Sequence, residues 1–447
     1  MPTLPSTVAI TERITIINRM AKLQAARATK TPTPRANSKT RAPCGTEASS
    51  NPEESSIRLY CRRPRAYCWR GMRLKAARVI LAVALLLLAT IKAASSSSKK
   101  EVAEHTYKRL KGCLRFDRDY GLRYPDDAEE HYAELLRRTA QYRNQSIHRG
   151  SGGYTGTWIE DRFIAHFLDK PLSFFSGLFP LFVQWSDYGF AVRGRGLTQA
   201  QAFEPLRRFL RPNVLYLAVS QANSGLDFIQ VSDPNVIVLG AGGDGNIPIP
   251  LLKGTLDFMP VPSPFPQTDL GFYGEPDHGP RGKIMAEMAI AAKAVVPHWR
   301  YFVGTHKEWK QMMAATAFNL APRGFGRASF RLAEIVQIGR VPVYLYDDAP
   351  WLPYEGSSAS AASIGFVGQA GNLRALLWQL KRVSNDTLSG KLRAVEAARR
   401  LYTMDGVLDQ IGLFFSNPLG ERGGLLRCSI RDHGLASVLD VQLRRRR

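Results

Sequence analysis

The segment from Phe318 to Tyr354, FNLAPRGFGRASFRLAEIVQIGRVPVYLYDDAPWLPY, sets one helical pattern between two strand patterns. Phe318, Leu320 and Ala321 lead into the turn Pro322-Arg323-Gly324-Phe325-Gly326-Arg327. Ser329 is placed to N-cap a helix in which Phe330, Leu332, Ala333, Ile335, Val336 and Ile338 recur at helical spacing, and Gly339 supplies the stop. Val341 to Tyr346 then runs as a β-rich stretch. A βαβ unit of this kind requires a parallel sheet and aims its turn at a helix N-terminus, where a diphosphate can be held.

The turn carries the right chemistry for an anion. Its glycines let backbone N–H groups approach phosphate oxygens, and Arg323 and Arg327 can neutralise charge with a bidentate fork. Glu334, one and a half turns into the helix, can reach the hydroxyls of a ribose. The competing reading is a basic surface turn before an ordinary core helix, with Glu334 solvated. The turn matches neither the P-loop nor the Gly-x-Gly-x-x-Gly pattern.

The whole block resembles the signature of exostosin-like glycosyltransferases, the family-47 type. The shared elements fall on Pro322, Arg323, Gly324, Ser329, Arg331, Glu334, Gly339, Pro342, Val343 and Leu352-Pro353-Tyr354. The resemblance extends upstream to FVQWSD, RPNVLYLAVSQ and NVIVLGAGGDGNIPIPLLKG and downstream to SIGFVGQAGNLRALLWQLKRVSND, covering Gly112 to Phe415. It implies an α/β, GT-B-like fold, with two Rossmann-like domains facing a cleft. It also implies inverting transfer of a sugar from a nucleotide-sugar, usually a UDP-sugar, to a glycan acceptor. The resemblance further implies that no cofactor is permanently bound and that no metal is required. Carried onto this chain, the diphosphate falls to Arg323, Gly324, Gly326, Arg327 and Ser329, with Arg281 as a further contact or simply a surface arginine. Arg331 supports the turn, and Glu334 takes the ribose. Ser329 can alternatively serve only as the N-cap, and Asp347-Asp348 read as strand-end caps rather than metal ligands.

The base that takes the acceptor proton is harder to assign. Similar enzymes carry His or Asp in the loops corresponding to SQANSG and GGDGN, whereas Ala222, Asn223 and Ser224 do not titrate and Asn246 stands where a His often follows. Asp244 is the candidate catalytic base, with Asp227 and Asp187 in reserve, each of them also suited to a capping or surface role. A catalytically silent partner subunit, or a glycan- or nucleotide-binding module, is therefore the alternative function. Assembly with related transferases, as homo- or hetero-oligomers, would suit either reading.

The net charge of +23 would suggest nucleic acid, but its distribution does not. Residues 1–78 hold 16 Lys/Arg against 4 Asp/Glu, and Arg444 to Arg447 end the chain, so only +7 belongs to residues 79–443. Both basic ends read as solvated tails, and no basic face interleaved with aromatics is apparent. Val79 to Ile91 is strongly apolar and follows Arg70, Arg73, Lys75 and Arg78. With Ala93-Ala94 it reads as a signal anchor, the family's type II Golgi membrane topology with a lumenal body. Read from Met72 it also fits a cleaved signal peptide opening into the secretory lumen, with the preceding residues a gene-model extension. Asn144-Gln-Ser and Asn385-Asp-Thr are sequons compatible with that lumen. Of five cysteines only Cys113 and Cys428 lie beyond the apolar run, and the spacing leaves open whether they pair.

The expected organisation is a disordered basic region 1–78, an anchor 79–94 and a stem 95–112. An acceptor domain 113–250 and a proline-rich connector 251–267 follow. A donor domain 268–415 and a C-terminal segment 416–447 complete it. Expected helices are Trp158–Phe167, Lys283–Ala294, Glu308–Ala315, Leu373–Val383 and Leu388–Met404. Expected strands include Val214–Ser220, Val236–Gly240, Leu270–Gly274, Tyr301–Gly304 and Ile364–Val367. Phe414 onwards has no assigned structure.

Overall fold

The computed structural model describes residues 113–114, 124–143, 157–193, 196–230, 233, 235–253, 266–418 and 424–429. The expected basic region, anchor and stem, the Asn144 sequon and the terminal arginines lie outside these residues. No helix among the described residues is long and apolar enough to cross a membrane.

The first lobe contains α1 (Ala128–Thr139), α2 (Ile159–Phe167), β1 (Leu178–Leu181), α3 (Trp185–Arg193), α4 (Gln199–Arg207), β2 (Leu215–Ser220), the short α5 (Asp227–Gln230), β3 (Val236–Gly240) and β4 (Ile247–Pro248). Its sheet runs β1-β2-β3-β4 with every pair parallel. β1, β2 and β3 are buried along their whole length, as parallel strands generally are, and so they read as apolar runs without alternation.

The second lobe contains β5 (Thr268–Tyr273), α6 (Arg281–Val295), β6 (Tyr301–Gly304), α7 (Trp309–Ala314), β7 (Thr316–Pro322), α8 (Phe330–Ile338), β8 (Val341–Tyr346), α9 (Ala361–Ile364), β9 (Phe366–Gln369), α10 (Leu373–Lys381) and α11 (Asn385–Ala398). The parallel order is β6-β5-β7-β8-β9. The βαβ unit foreseen around residues 318–346 is β7-α8-β8, with Gly339 ending α8 at φ 84°. β7 extends one residue further than expected. Pro322 pairs opposite Leu345, and the N–H of Arg323 donates to the Leu345 carbonyl at 2.9 Å.

Two expectations fail for local reasons. Ile364 closes the helical turn α9, which Ser360 caps by accepting from the N–H of Ser363, so the strand starts only at Phe366. The single helix expected over Leu388–Met404 stops at Ala398, passes through a 3-10 turn Arg399–Tyr402, and restarts. Thr403 is extended and its Oγ1 accepts from the N–H of Gly406, which N-caps a new helix, α12 (Met404–Ser416). This helix fills a stretch with no assigned structure at its end, and it packs on the first lobe. The Phe415 ring lies 4.8 Å from Phe175 and 5.5 Å from Phe167.

Cys113 and Cys428 are joined in a disulfide with Cα atoms 5.3 Å apart. Asn246 anchors both sides of it. Its Oδ1 accepts from Val238 N–H (2.8 Å) and Gln230 Nε2 (2.5 Å), its Nδ2 donates to the Cys113 carbonyl (2.6 Å), and its own carbonyl accepts from Ser429 N–H (2.9 Å). The residue standing where a catalytic His was sought is thus a structural clasp. Replacing Cys113 by Ser should lower the melting temperature, since the bridge closes a loop of 315 residues, with chain entropy setting a ceiling of roughly 5 kcal/mol. Thermal melts with and without reductant check this; an unchanged midpoint would mean the Asn246 network holds the ends by itself.

Candidate functional site

The turn between β7 and α8 meets the loop after β3. Ala328 N–H points to the Gly242 carbonyl at 3.4 Å, and a Cβ on Gly326 would fall 1.9 Å from that same oxygen. A Cβ on Gly243, whose φ is 126°, would fall 2.2 Å from the Arg327 nitrogen. Both positions need glycine because one backbone lies directly against the other.

The arginines of this turn are spent inside the protein. Buried Arg323 bonds Asp347 (2.6 Å) and Asp348 (2.8 Å) through Nη1, and donates to the carbonyls of Gly326 (3.2 Å) and Phe325 (3.0 Å). Arg327 donates through Nε to Asp348 (2.7 Å) and approaches Asp244 at 3.7 Å. Burial disfavours the Arg327 charge, yet Asp348 and then Asp244 hold its pKa above the usual value. Burial likewise works against the Asp348 carboxylate, but the Ala349 N–H and Arg327 bring its pKa below the usual range. Asp347 and Asp348 are therefore strand-end caps, as expected, and counter-charges as well. Gly324 N–H donates to the Ala328 carbonyl at 3.0 Å and closes the turn.

The remaining predicted residues converge differently. Ser329 is 3% exposed and occupies the N-cap of α8 without a side-chain capping bond. Its buried Oγ has no hydrogen-bond partner among the described residues. Arg281, the first residue of α6, donates to the carbonyls of Arg323 (3.2 Å) and Glu275 (3.0 Å), and its Nη2 would lie 3.6 Å from a Cβ on Gly324. Burial first, and Arg331 second, push its pKa down to about 10. Arg331 lies 4.4 Å over the Trp309 ring and pairs with buried Glu334.

Sequence reasoning missed Lys253. It comes from the first lobe and is exposed overall, but its ammonium sits 5.1 Å from the Phe330 ring, where partial loss of water lowers its pKa and Glu334 opposes that. The signal was a single cation closing the apolar run Ile247–Leu252. Lys253, Arg281 and Arg331 thus gather around one buried carboxylate, an excess of positive charge beside a helix N-terminus.

The carboxylates of the first lobe are arranged otherwise. Asp244 accepts from Gly245 N–H at 2.7 Å and faces Arg327, and Asp227 opens α5. Asp187 is buried, and its pKa is raised to about 6 by that burial and by Asp161. Glu160, also unforeseen, is 1% exposed and accepts from Gln221 N–H (2.7 Å), Ser186 N–H (2.8 Å) and Ser186 Oγ (2.9 Å). It ties the first turn of α3 to the loop after β2. Burial lifts its pKa to about 8 despite those three donors. No group of three or more His, Cys, Asp or Glu among the described residues could hold a metal ion.

No family model and no curated protein matches this chain. Solved structures align in part. TarM aligns at a TM-score of 0.31 and 11% identity, over 48% of this chain and 53% of that one. A GtfA/B complex aligns at 0.30 and 11%, over 45% of each. An alpha-glucosyltransferase in complex with UDP and a 13-mer DNA containing a central A:G mismatch aligns at 0.27 and 10%, over 49% of this chain and 75% of that one. The chain spans about half the length of the first two.

Two outcomes follow from this geometry. Arg323→Ala should destabilise the fold, on the order of 3 kcal/mol because it strips the partner from two aspartates, as read by denaturant unfolding; a fully stable variant would return Arg323 to the surface role. For Glu160 the folded-state pKa lies above the unfolded value of 4.5. Its contribution to stability is therefore complete below that value and is lost as pH rises toward about 8. The melting temperature should fall over this window in the wild type and less so in Glu160→Gln; parallel profiles would remove Glu160 as the cause.

Proposed function

We propose that this chain is a glycosyltransferase of the exostosin-like, GT-B type, transferring a sugar from a UDP-sugar to a glycan hydroxyl with inversion. One observation carries the reading: the buried Oγ of Ser329 at the start of α8 has no partner among the described residues, while Arg331 pairs with Glu334 in that helix, Lys253 lies against the Phe330 ring and Arg281 reaches the turn at the Arg323 carbonyl. The Ser329 hydroxyl and the first N–H groups of α8 would bind the diphosphate, and the three cations would neutralise it. Arg323, Gly324, Gly326 and Arg327 hold the turn that presents this end. Glu334 would exchange its Arg331 partner for the ribose hydroxyls.

In the transfer, the acceptor oxygen bonds to the anomeric carbon as the bond to the phosphate oxygen breaks. Charge develops on the departing UDP, where fixed cations and a helix N-terminus are most effective. The acceptor proton would pass to Asp244. The disulfide suits an oxidising compartment, in keeping with a Golgi lumenal body carried by an anchor at residues 79–94 or released by signal cleavage.

A second reading has its own support. Asp244 is engaged by Gly245 N–H and Arg327, and Asn246 is built into the clasp. A chain so arranged can bind a nucleotide-sugar without turning it over, as a silent partner of active transferases. Calorimetric titration with UDP should give saturable binding, weakened about tenfold or more in Arg281→Ala. No binding by the wild type would sink both readings. Binding without transfer or hydrolysis across a panel of UDP-sugars would select the silent one.

A further inference from the structure

On the outer flank of the second lobe, α10 and the start of α11 border a groove of about 700 Å³ whose lining includes Phe366, Trp378, Gln379, Arg382 and Thr387. α10 is amphipathic in an ordinary way, burying Leu373, Leu376, Leu377 and Leu380. Trp378 is the exception. It faces outward and is 47% exposed, one of few large apolar side chains so placed among the described residues. Lys381 Nζ lies 4.9 Å and the Arg382 guanidinium 5.7 Å from its ring centroid. Lys391 Nζ lies 5.3 Å from the Phe366 ring and is held there by the carbonyls of Ala362 and Ser363. Asp386, next to Thr387, is exposed at the same rim. Two cations therefore flank an exposed indole and a third stands against Phe366 of the same groove, with one carboxylate nearby.

An indole face stacks on the C–H face of a pyranose ring, Lys and Arg pair with carboxylates, and Gln379 and Thr387 can bond sugar hydroxyls. An apolar protein partner would match the indole but would strand the cations. From this juxtaposition we propose that the groove is a surface site for an acidic oligosaccharide, one bearing uronate carboxyls. It shares no residue with the Ser329 cluster, so either site can fail without the other. On the proposed reading of the chain it would retain a charged glycan while the chemistry proceeds elsewhere.

The test is calorimetric titration of the full chain, deglycosylated so that no sugar on Asn385 fills the groove. Oligogalacturonate of four to six sugars is the probe, with a neutral xylo-oligosaccharide and a sulfated oligosaccharide of similar length as controls. The uronate should bind at low salt, weaken as salt rises, and lose about tenfold in affinity in Trp378→Ala and in the double variant Lys381→Gln/Arg382→Gln. The neutral chain should bind at least tenfold more weakly. UDP affinity should be the same in all variants, which also reports that they are folded. Equal binding of the neutral chain, stronger binding of the sulfated one, or uronate binding that survives Trp378→Ala would overturn the proposal.

Discussion

The guanidinium of Arg323 is the piece on which the rest of this molecule turns. It is buried where β7 ends, and its donors reach Asp347, Asp348 and the carbonyls of Phe325 and Gly326. A charge taken from water in this way is tolerable only when every neighbour answers it. Here the answer is the shape of the turn itself, pinned to the end of β8. Arg327 bonds Asp348 in its own lobe and carries the same logic across to the first lobe through Asp244 and the Gly243 backbone. Ser329 and the start of α8 follow directly on the turn that this charge network pins.

That arrangement redistributes the roles that arginine-rich turns invite. Arg323 and Arg327 look available for a ligand when read along the chain, yet they are committed to aspartates about twenty residues further on. The charge left near Ser329 comes from three separate places: Arg281 opening α6, Arg331 inside α8, and Lys253 reaching over from the first lobe. A positive field assembled from separate elements depends on the lobes being in register, whereas one built from a single turn would not.

The sequence was most readable where covalent proximity does the work. β7, α8 and β8, with the Ser329 cap and the Gly339 stop, follow from apolar spacing and backbone preference alone. The parallel strands β2 and β3 were legible as unbroken apolar runs. What could not be read was partnership across distance. Nothing along the chain states that Asp347 and Asp348 answer Arg323, or that Lys253 lies beside Phe330. Likewise Asn246 gives no sign along the chain that it clasps Cys113. β1 escaped notice because Leu178–Leu181 is only four residues long and contains a proline. The break before α12 was missed because Thr403 sits in an otherwise helical composition, and a cap is a matter of one dihedral pair.

The return of α12 to the first lobe has a consequence for how the molecule is made. The chain leaves that lobe after Lys253 and rejoins it near Met404, so the second lobe is an insert within the first. During synthesis the second lobe, being contiguous, can close on itself early. The earlier-made portion must wait for Phe415 and Cys428 before its aromatic floor and its bridge are complete. The half that emerges first is therefore the half that finishes last, and until then it is the part that needs shielding.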